Sequence, residues 1–200
     1  MKITALKAQV KNLERVSIFV DSKYTFSLTI NEVIKHKLKK DQDVTEADIE
    51  TYKKLSADGK LRARAYEWLM GRAHSTKELK DYLYKKKTDS DLQQKLILEF
   101  TEKGILSDQR YAQWAAERLM RKNKSHRAIA NELRAKGIDV QTIQQAMADQ
   151  PSDDTGHLNI LIAKLQTRPR YSDPKKLMAY LVSKGFSYQD IKEAFTQQPE

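Results

Sequence analysis

Residues 125–147 have the sequence SHRAIANELRAKGIDVQTIQQAM, and their pattern of apolar residues recurs 48 positions later in the chain. The apolar positions are spaced three or four residues apart, which is typical of helices that bury one face. In each copy a Lys-Gly pair separates two helical segments. The matching positions are Ile129 and Leu177, Leu133 and Leu181, Gly137 and Gly185, Ile143 and Ile191, and Ala146 and Ala194.

An earlier, more diverged copy precedes these two. It has Ser75, Leu79 and Leu83 at the matching positions, and Lys87 stands where the other copies have glycine. A repeat of this length is typical of stacked helical modules, each of which buries its apolar face against a neighbour. We therefore predict a mainly α fold built as a tandem array of three three-helix repeats. These repeats occupy residues 55–106, 107–150 and 151–200.

Serine residues mark the predicted starts of several helices, because a serine hydroxyl can accept a hydrogen bond from the first turn of a helix. We predict Ser75 as an N-cap, with Glu78 as its reciprocal capping-box partner. Further N-caps are predicted at Ser90, Ser107 and Ser125. The first helix of the first repeat is predicted over about 58–72, and a flexible joint at Pro151-Ser152-Asp153-Asp154. The later helices are predicted over about 140–147, 158–165, 174–184 and 188–195.

The first 54 residues have a different pattern. Apolar and polar residues alternate over 15–30 on both sides of Asp21-Ser22-Lys23, which predicts a β-hairpin. The run from Ile3 to Val10 adds a possible third strand. Short helices are predicted after an Asn31 cap and over 46–55, the latter preceded by a Thr45 and Asp48 capping box. The array is therefore preceded by a small β-hairpin-containing module at residues 1–54.

The composition limits which kinds of partner and which cellular location we expect. The formal net charge of +10 favours an acidic partner such as a nucleic-acid backbone or an acidic protein groove. The chain has no cysteine, which excludes disulfides, thiolate metal sites and cysteine nucleophiles. No signal-peptide or membrane-spanning pattern is found, so we expect no membrane association and a cytoplasmic location.

Catalytic patterns are missing from the sequence. Its six glycines form no phosphate-binding loop. The four histidines share no metal-binding spacing and are expected to be ordinary surface or loop residues; they are His36, His74, His126 and His157. We therefore expect a protein that is not an enzyme and that has no catalytic residues, metal or cofactor.

Basic residues cluster between Arg121 and Lys136, a stretch of 16 residues with the single acid Glu132. A smaller basic set follows the first helix of the third repeat, at the equivalent place. Recurrence at the same place in successive repeats favours a shared partner-binding face over charges that only aid solubility. The predicted partner- or DNA-binding residues are Arg72, Lys77, Arg121, Lys122, Lys124, Arg127, Arg134, Lys136, Arg168, Arg170, Lys175 and Lys176.

A helix-turn-helix DNA reader is a competing interpretation of residues 127–147. In that motif the second helix enters the major groove and is usually rich in cations and amides. Here the segment 139–150 has no Lys or Arg, although it has several glutamines. Sequence-specific DNA binding therefore remains a minor alternative.

Several segments resemble the RecX family of regulators of the RecA recombinase. The similar segments are LMGRAHSTKELKDYL at 69–83, EKGILSDQRYA at 102–112, IANELRAKGI at 129–138, KGFSYQDI at 184–191 and, in longer family members, ERVSIFVDSKYTFSL at 14–28. The chain differs from the family pattern at Ser107, where an acid is frequent, and at Ser125, where a glycine is common. The likeness covers nearly the whole chain.

The resemblance implies an array of three-helix repeats that lies along the groove of the RecA–single-stranded DNA filament. It implies inhibition of ATP turnover and strand exchange by RecA, and contact with single- and double-stranded DNA of low sequence specificity. We expect the chain to act as a monomer. A non-specific nucleic-acid-binding protein and a helical adaptor for another acidic protein remain as alternatives.

Overall fold

The structure is a computed structural model that describes residues 1–10, 12–148 and 154–196. The chain divides into two compact units, Met1–Trp68 and Leu69–Glu200. The first unit contains the β-sheet, and the second is helical. The mainly α fold with a small N-terminal sheet is confirmed.

The first unit contains a three-stranded antiparallel sheet in the order β1-β2-β3. Its strands are β1 (Ile3–Ala8), β2 (Arg15–Val20) and β3 (Lys23–Thr29). Asp21 and Ser22 both have positive φ, of 47° and 68°, which suits a two-residue turn whose twist matches that of the strands. The predicted hairpin is confirmed, and the run from Ile3 supplies the third strand.

Two helices pack on this sheet, and capping residues determine where each begins. Helix α1 (Ile30–Lys35) begins after Thr29, so the prediction of Asn31 as its cap was wrong. The Thr29 hydroxyl accepts from the Glu32 backbone N–H, and the Glu32 carboxylate accepts from the Thr29 N–H at 2.7 Å. The predicted capping box of Thr45 and Asp48 is confirmed at the start of α2 (Glu46–Met70).

Helix α2 is continuous where the sequence predicted two helices, over 46–55 and 58–72. Ser56 is buried in the middle of the helix, and its hydroxyl oxygen lies 3.4 Å from the backbone N–H of Ser27 on β3. Gly59 faces the side chains of Arg15 and Glu32, which a Cβ there would approach to 3.4 and 3.5 Å. These small residues therefore let the helix pack on the sheet and do not end it. The predicted domain boundaries remain predictions, and the one after residue 150 lies outside the described residues.

The second unit contains eight α-helices within the described residues. They are α3 (Thr76–Lys85), α4 (Ser90–Glu102), α5 (Asp108–Arg121), α6 (His126–Ala135), α7 (Val140–Ala148), α8 (Asp154–Gln166), α9 (Pro174–Ser183) and α10 (Tyr188–Thr196). A short 3-10 helix, Pro169–Tyr171, lies between α8 and α9. Of the predicted joint, residues 151–153 lie outside the described residues, and Asp154 is the first residue of α8.

Each of the later repeats has its own apolar core. Helices α5, α6 and α7 bury a cluster that includes Tyr111, Leu133 and Ile143. Helices α8, α9 and α10 bury a second cluster that includes Leu158 and Leu181. The positions 48 residues apart are therefore the buried faces of equivalent helices.

Serine caps begin α3, α5 and α6 as predicted. The hydroxyls of Ser75, Ser107 and Ser125 accept from backbone N–H groups three residues later. The cap of α4 was predicted one residue too late: Asp89 accepts from the Leu92 N–H at 2.9 Å, and Ser90 is the first helical residue.

Helices α3, α4, α6 and α9 are each followed by a residue in the left-handed backbone conformation. Gly104, Gly137 and Gly185 have φ of 63°, 79° and 97°, and Lys87 has the same kind of conformation with φ of 55°. Lys87 therefore occupies the structural position of the repeat glycine, although a residue with a Cβ adopts this conformation less readily than glycine does.

The second helices of successive repeats meet end to end. At the N-terminus of α3, the Ser75 hydroxyl donates to the Lys136 carbonyl at 3.0 Å, just after α6. At the N-terminus of α6, the Ser125 N–H donates to the Lys184 carbonyl at 3.0 Å, just after α9. Carbonyls that a helix leaves unpaired at its C-terminus thus find donors in the preceding repeat.

Gly185 is required at this junction for two reasons. A Cβ there would lie 2.8 Å from the Ser125 hydroxyl oxygen and would also overlap the Ala128 side chain, and φ is positive. We expect Gly185→Ala to lower the free energy of unfolding by about 2–4 kcal/mol, from crowding added to backbone strain. Urea denaturation measures the change.

The matched control is Gly104→Ala, where φ is also positive but no atom lies within 4 Å of the added Cβ. This variant should lose only about 1 kcal/mol, the strain alone. Equal losses in the two variants would show that the close approach at the junction is unimportant.

Candidate partner-binding surface

Two of the predicted binding cations are held by a carboxylate inside the array. Glu78 on α3 accepts from Arg72 Nη1 at 2.9 Å and from Lys136 Nζ at 3.0 Å, and His74 Nδ1 lies 3.1 Å from the same carboxylate. The Glu78 side chain is only 12% exposed. The sequence predicted Glu78 as a capping-box partner of Ser75, but the carboxylate is used to join the first and second repeats.

The two cations shift the titration of this carboxylate. Burial alone would raise the pKa of Glu78, but hydrogen bonds and charge attraction from Arg72 and Lys136 outweigh it and lower the pKa from the usual 4.5 to about 2. Burial and the nearby Glu78 charge raise the pKa of Tyr111 to about 12. Glu78 is therefore ionised throughout the physiological range.

Lys77 and Arg127 serve the helix junctions. Lys77 Nζ donates to the Ala135 carbonyl at 2.8 Å, and Arg127 Nη2 donates to the Gly185 carbonyl at 3.0 Å. Both residues are second in their helices, so they are repeat equivalents. A cation at a helix C-terminus also interacts favourably with the helix dipole. The sequence predicted these residues as binding cations, and the fold already uses both.

The cations around the loop between α5 and α6 differ in how strongly they are held. Lys124 lies 3.2 Å from a Glu132 carboxylate oxygen, and Arg134 donates to the Asn131 side chain at 2.8 Å. Arg121 is 73% exposed, and its guanidinium lies 3.7 Å from a carboxylate oxygen of Glu117, which is a long distance for an ion pair. Lys122 is exposed and makes no ion pair within the part of the chain that the structure describes.

The cations of the third repeat are exposed. Arg168 and Arg170 flank the start of the 3-10 helix, and the Arg170 guanidinium lies 5.8 Å from the Tyr171 ring centre. Lys175 and Lys176 lie in the first turn of α9. None of the four forms an ion pair with a residue in the described ranges, so these side chains are available to a partner.

A cleft that the sequence analysis missed lies beside α5. Its volume is about 280 Å³. Trp114 lines it with the guanidinium groups of Arg72 and Arg118 at 5.2 and 5.3 Å from its ring centre. Lys122 and Lys136 also line the cleft. The available signal was the spacing of Trp114, Arg118 and Lys122, which places all three on one face of a helix.

The expectation of ordinary surface or loop residues missed internal contacts of three histidines, His74, His126 and His157. His74 is buried against Glu78, four residues later on the chain. His126 Nδ1 lies 2.6 Å from Asp154 Oδ1, which joins the second repeat to the third. His157 packs edge-on against a phenylalanine ring, and burial lowers its pKa. Over the described ranges, no group of three or more histidine or acidic side chains is placed to hold a metal ion.

Two further features bear on the alternatives. Helix α7, which a helix-turn-helix interpretation would place in the major groove, contains no Lys or Arg. None of the helices described in the structure is both long enough and apolar enough to span a membrane.

The fold and the basic surface define a helical-repeat protein with a small N-terminal sheet and exposed cations on its later repeats. Residues 1–45 match the model of the regulatory protein RecX N-terminal domain, and residues 107–147 match that of the second three-helix domain of RecX. The chain belongs to the RecX family of regulatory proteins.

Relatives support this assignment over almost the whole chain. The regulatory protein RecX of Bacillus subtilis is 32% identical over 201 residues, which cover 98% of this chain and 76% of the relative. The regulatory protein RecX of Listeria innocua is 30% identical over 200 residues, which cover 97% of this chain and 74% of the relative.

Solved structures show the same fold. A crystal structure of regulatory protein RecX matches with a TM-score of 0.70 and 23% identity, over 96% of this chain and 98% of the other. The crystal structure of RecX from Lactobacillus salivarius matches with a TM-score of 0.56 and 22% identity, over 70% of this chain and 95% of the other.

Glu78 supplies a test of how the first two repeats are joined. Because its folded pKa is about 2 against the usual 4.5, its stabilising contribution is present above about pH 4.5 and is lost as the pH falls towards about 2. We expect Glu78→Gln to cost about 2 kcal/mol at neutral pH and to flatten the loss of stability over that acid range. Urea denaturation at a series of pH values measures both effects.

Glu132→Gln is the matched control, because Glu132 is half exposed and, among the described residues, forms its ion pair with Lys124. An exposed pair of this kind contributes about 0.5 kcal/mol. If the two variants had the same pH dependence, Glu78 would not be the group that couples acid to unfolding.

Proposed function

We propose that this protein binds the RecA–single-stranded DNA filament along its groove and restrains ATP turnover and strand exchange. The observation that carries the proposal is the membership of a family of regulatory proteins, together with a repeat array whose third-repeat cations are exposed and form no ion pair within the described residues. The protein acts by binding and is not an enzyme. It acts as a monomer in the cytoplasm, and its contact with DNA has low sequence specificity.

The array suits a long partner. Its second helices follow one another end to end, held by the hydrogen bonds of Ser75, Lys77, Ser125 and Arg127. A filament repeats the same surface along its length, so successive repeats of the array can contact successive subunits. Weak contacts that are linked in this way add to a high overall affinity. Bridging two subunits opposes the relative movements that accompany nucleotide turnover.

The cations divide into two groups for this role. Those with few internal contacts are the proposed partner contacts, and they are Arg121, Lys122, Arg168, Arg170, Lys175 and Lys176. The others make contacts within the protein that stabilise the array, and any contact with a partner would be a second role. They are Arg72, Lys77, Lys124, Arg127, Arg134 and Lys136.

Two other functions remain as alternatives. A non-specific nucleic-acid binder would use the same cations without a recombinase, and a helical adaptor would use them for another acidic protein. Sequence-specific DNA reading through α7 is disfavoured by its lack of cations.

The proposal predicts that this protein slows DNA-dependent ATP hydrolysis by RecA. Replacing Arg121 and Lys122 with alanine should weaken that inhibition by about threefold or more, because exposed charges control encounter and orientation. The thermal unfolding of this double variant should be nearly unchanged, since Lys122 forms no ion pair with a described residue and the Arg121–Glu117 pair is long, at 3.7 Å, and exposed. Lys124 and Arg127 are left unchanged, because both make contacts within the protein and their loss would affect stability as well as binding.

The control is Lys39→Ala with Lys40→Ala, which removes the same charge from an exposed segment of the first unit. This variant should inhibit as the unmodified protein does. An equal loss in both double variants would show a general charge effect, and no inhibition by the unmodified protein would exclude the proposed function.

Salt separates filament binding from simple nucleic-acid binding. Affinity for bare single-stranded DNA should fall steeply with salt, by about 0.7 in the log–log slope for each phosphate neutralised. Affinity for the filament should fall less, because protein contacts add to the charge interaction. Fluorescence anisotropy with labelled DNA, with and without RecA, measures both slopes, and equal slopes would favour the simple nucleic-acid binder.

A further inference from the structure

The cleft beside α5 combines an aromatic wall with cations. Trp114 is half-buried, packs against Tyr111 at 5.9 Å between ring centres and leaves part of its indole exposed. The guanidinium groups of Arg72 and Arg118 lie over the indole. Guanidinium groups at these distances are attracted to the face of an aromatic ring, so the three side chains together form a positively charged layer.

The charges of the cleft are only partly balanced. The Glu78 carboxylate already accepts hydrogen bonds from Arg72 and Lys136. Arg118 and Lys122 form no ion pair with any residue that the structure describes, although both line the cleft. Glu132 also lines the cleft, but the four lining cations outnumber the two carboxylates. The cleft therefore retains a positive charge, and the ligand that complements it is an anion.

The two unbalanced cations follow Trp114 along the same helix. Trp114, Arg118 and Lys122 are separated by four residues each, and Lys122 is the C-cap residue just after α5. The three residues therefore follow one side of the helix to its end at steps of about 6 Å. An elongated polyanion that runs along α5 would meet the aromatic layer first and then one cation at each helical turn. A compact anion such as free phosphate has no flat face to pack against the indole, so it would be bound by the cations alone.

We propose that this cleft binds single-stranded DNA, with one base stacked on the layer of Trp114 and its guanidinium groups and the adjoining phosphates bound by Arg118 and Lys122. Unpaired bases expose a flat face to aromatic side chains, whereas duplex bases are covered by their neighbours. A chain of carboxylates would pair with the cations but would have no aromatic ring to stack on the indole. The inference rests on the proposed function, because it names the part of the filament that this surface contacts.

Tryptophan fluorescence tests the proposal on the isolated protein. The chain has two tryptophans, and a Trp68→Phe variant leaves Trp114 as the single reporter. This variant is titrated at low salt with oligothymidylate, with an abasic oligonucleotide of equal phosphate number and with polyglutamate. We expect oligothymidylate to quench Trp114 emission and to bind about fivefold or more tightly than the abasic strand, since a stacked base adds affinity.

Variants separate stacking from charge. Variants at Trp114 lack the fluorescent reporter, so their binding is followed by the anisotropy of labelled strands. Trp114→Leu should bind oligothymidylate and the abasic strand equally, and Trp114→Phe should recover part of the preference. Arg118→Ala and Lys122→Ala should weaken binding of both strands alike. Lys40→Ala is the control, because Lys40 is an exposed cation of the first unit and does not line the cleft. It should keep the preference for bases.

The outcomes are distinct. Quenching by oligothymidylate with a lost preference in Trp114→Leu supports the proposal. Equal affinity for the two strands without quenching in the Trp68→Phe protein overturns it, and equally tight binding of polyglutamate with the same quenching assigns the cleft to an acidic peptide instead. If unmodified protein shows no base preference yet slows RecA, this inference fails and the proposed function stands. If the preference is found but RecA is unaffected, the proposed function fails.

Discussion

The array depends on the hydrogen bonds that join the end of one repeat helix to the start of another. A helix leaves its last carbonyls and first N–H groups unpaired, and burying such groups without partners costs free energy. Here the carbonyls after α6 and α9 accept from Ser75, Lys77, Ser125 and Arg127. The helix dipoles also align head to tail across each junction, which favours the same arrangement.

This constraint explains why several cations in a strongly basic chain are not part of a free basic surface. Lys77 and Arg127 carry long side chains that can reach across a junction, and their charge suits the negative end of the neighbouring helix. Arg72 and Lys136 neutralise the carboxylate of Glu78, which would otherwise be costly to bury. The net charge of the chain is thus partly structural, and only the remaining cations can attract an acidic partner.

The same junctions place the aromatic cleft. Glu78 draws Arg72 and Lys136 together from the first and second repeats, and Arg72 then lies over Trp114 on α5. A single residue of the first repeat therefore organises both the joint and a wall of the cleft. A regulatory protein that uses its array for binding would couple the shape of this joint to the surface it presents.

Local pattern was sufficient to predict the helical repeats, the hairpin, the serine caps at Ser75, Ser107 and Ser125, and the Lys-Gly pairs that separate helices. Each of these depends on side chains within a few residues of one another, so its physical cause is present in a short segment. The same local rules failed at α2, because Ser56 and Gly59 resemble helix breakers until a sheet packs against them. The roles of Lys77, Glu78 and Arg127 depend on atoms about 58 residues away in sequence. Which cations are bound inside the protein and which remain free is decided by those long-range contacts, because a charge has the same appearance in a sequence whether or not the fold supplies its partner.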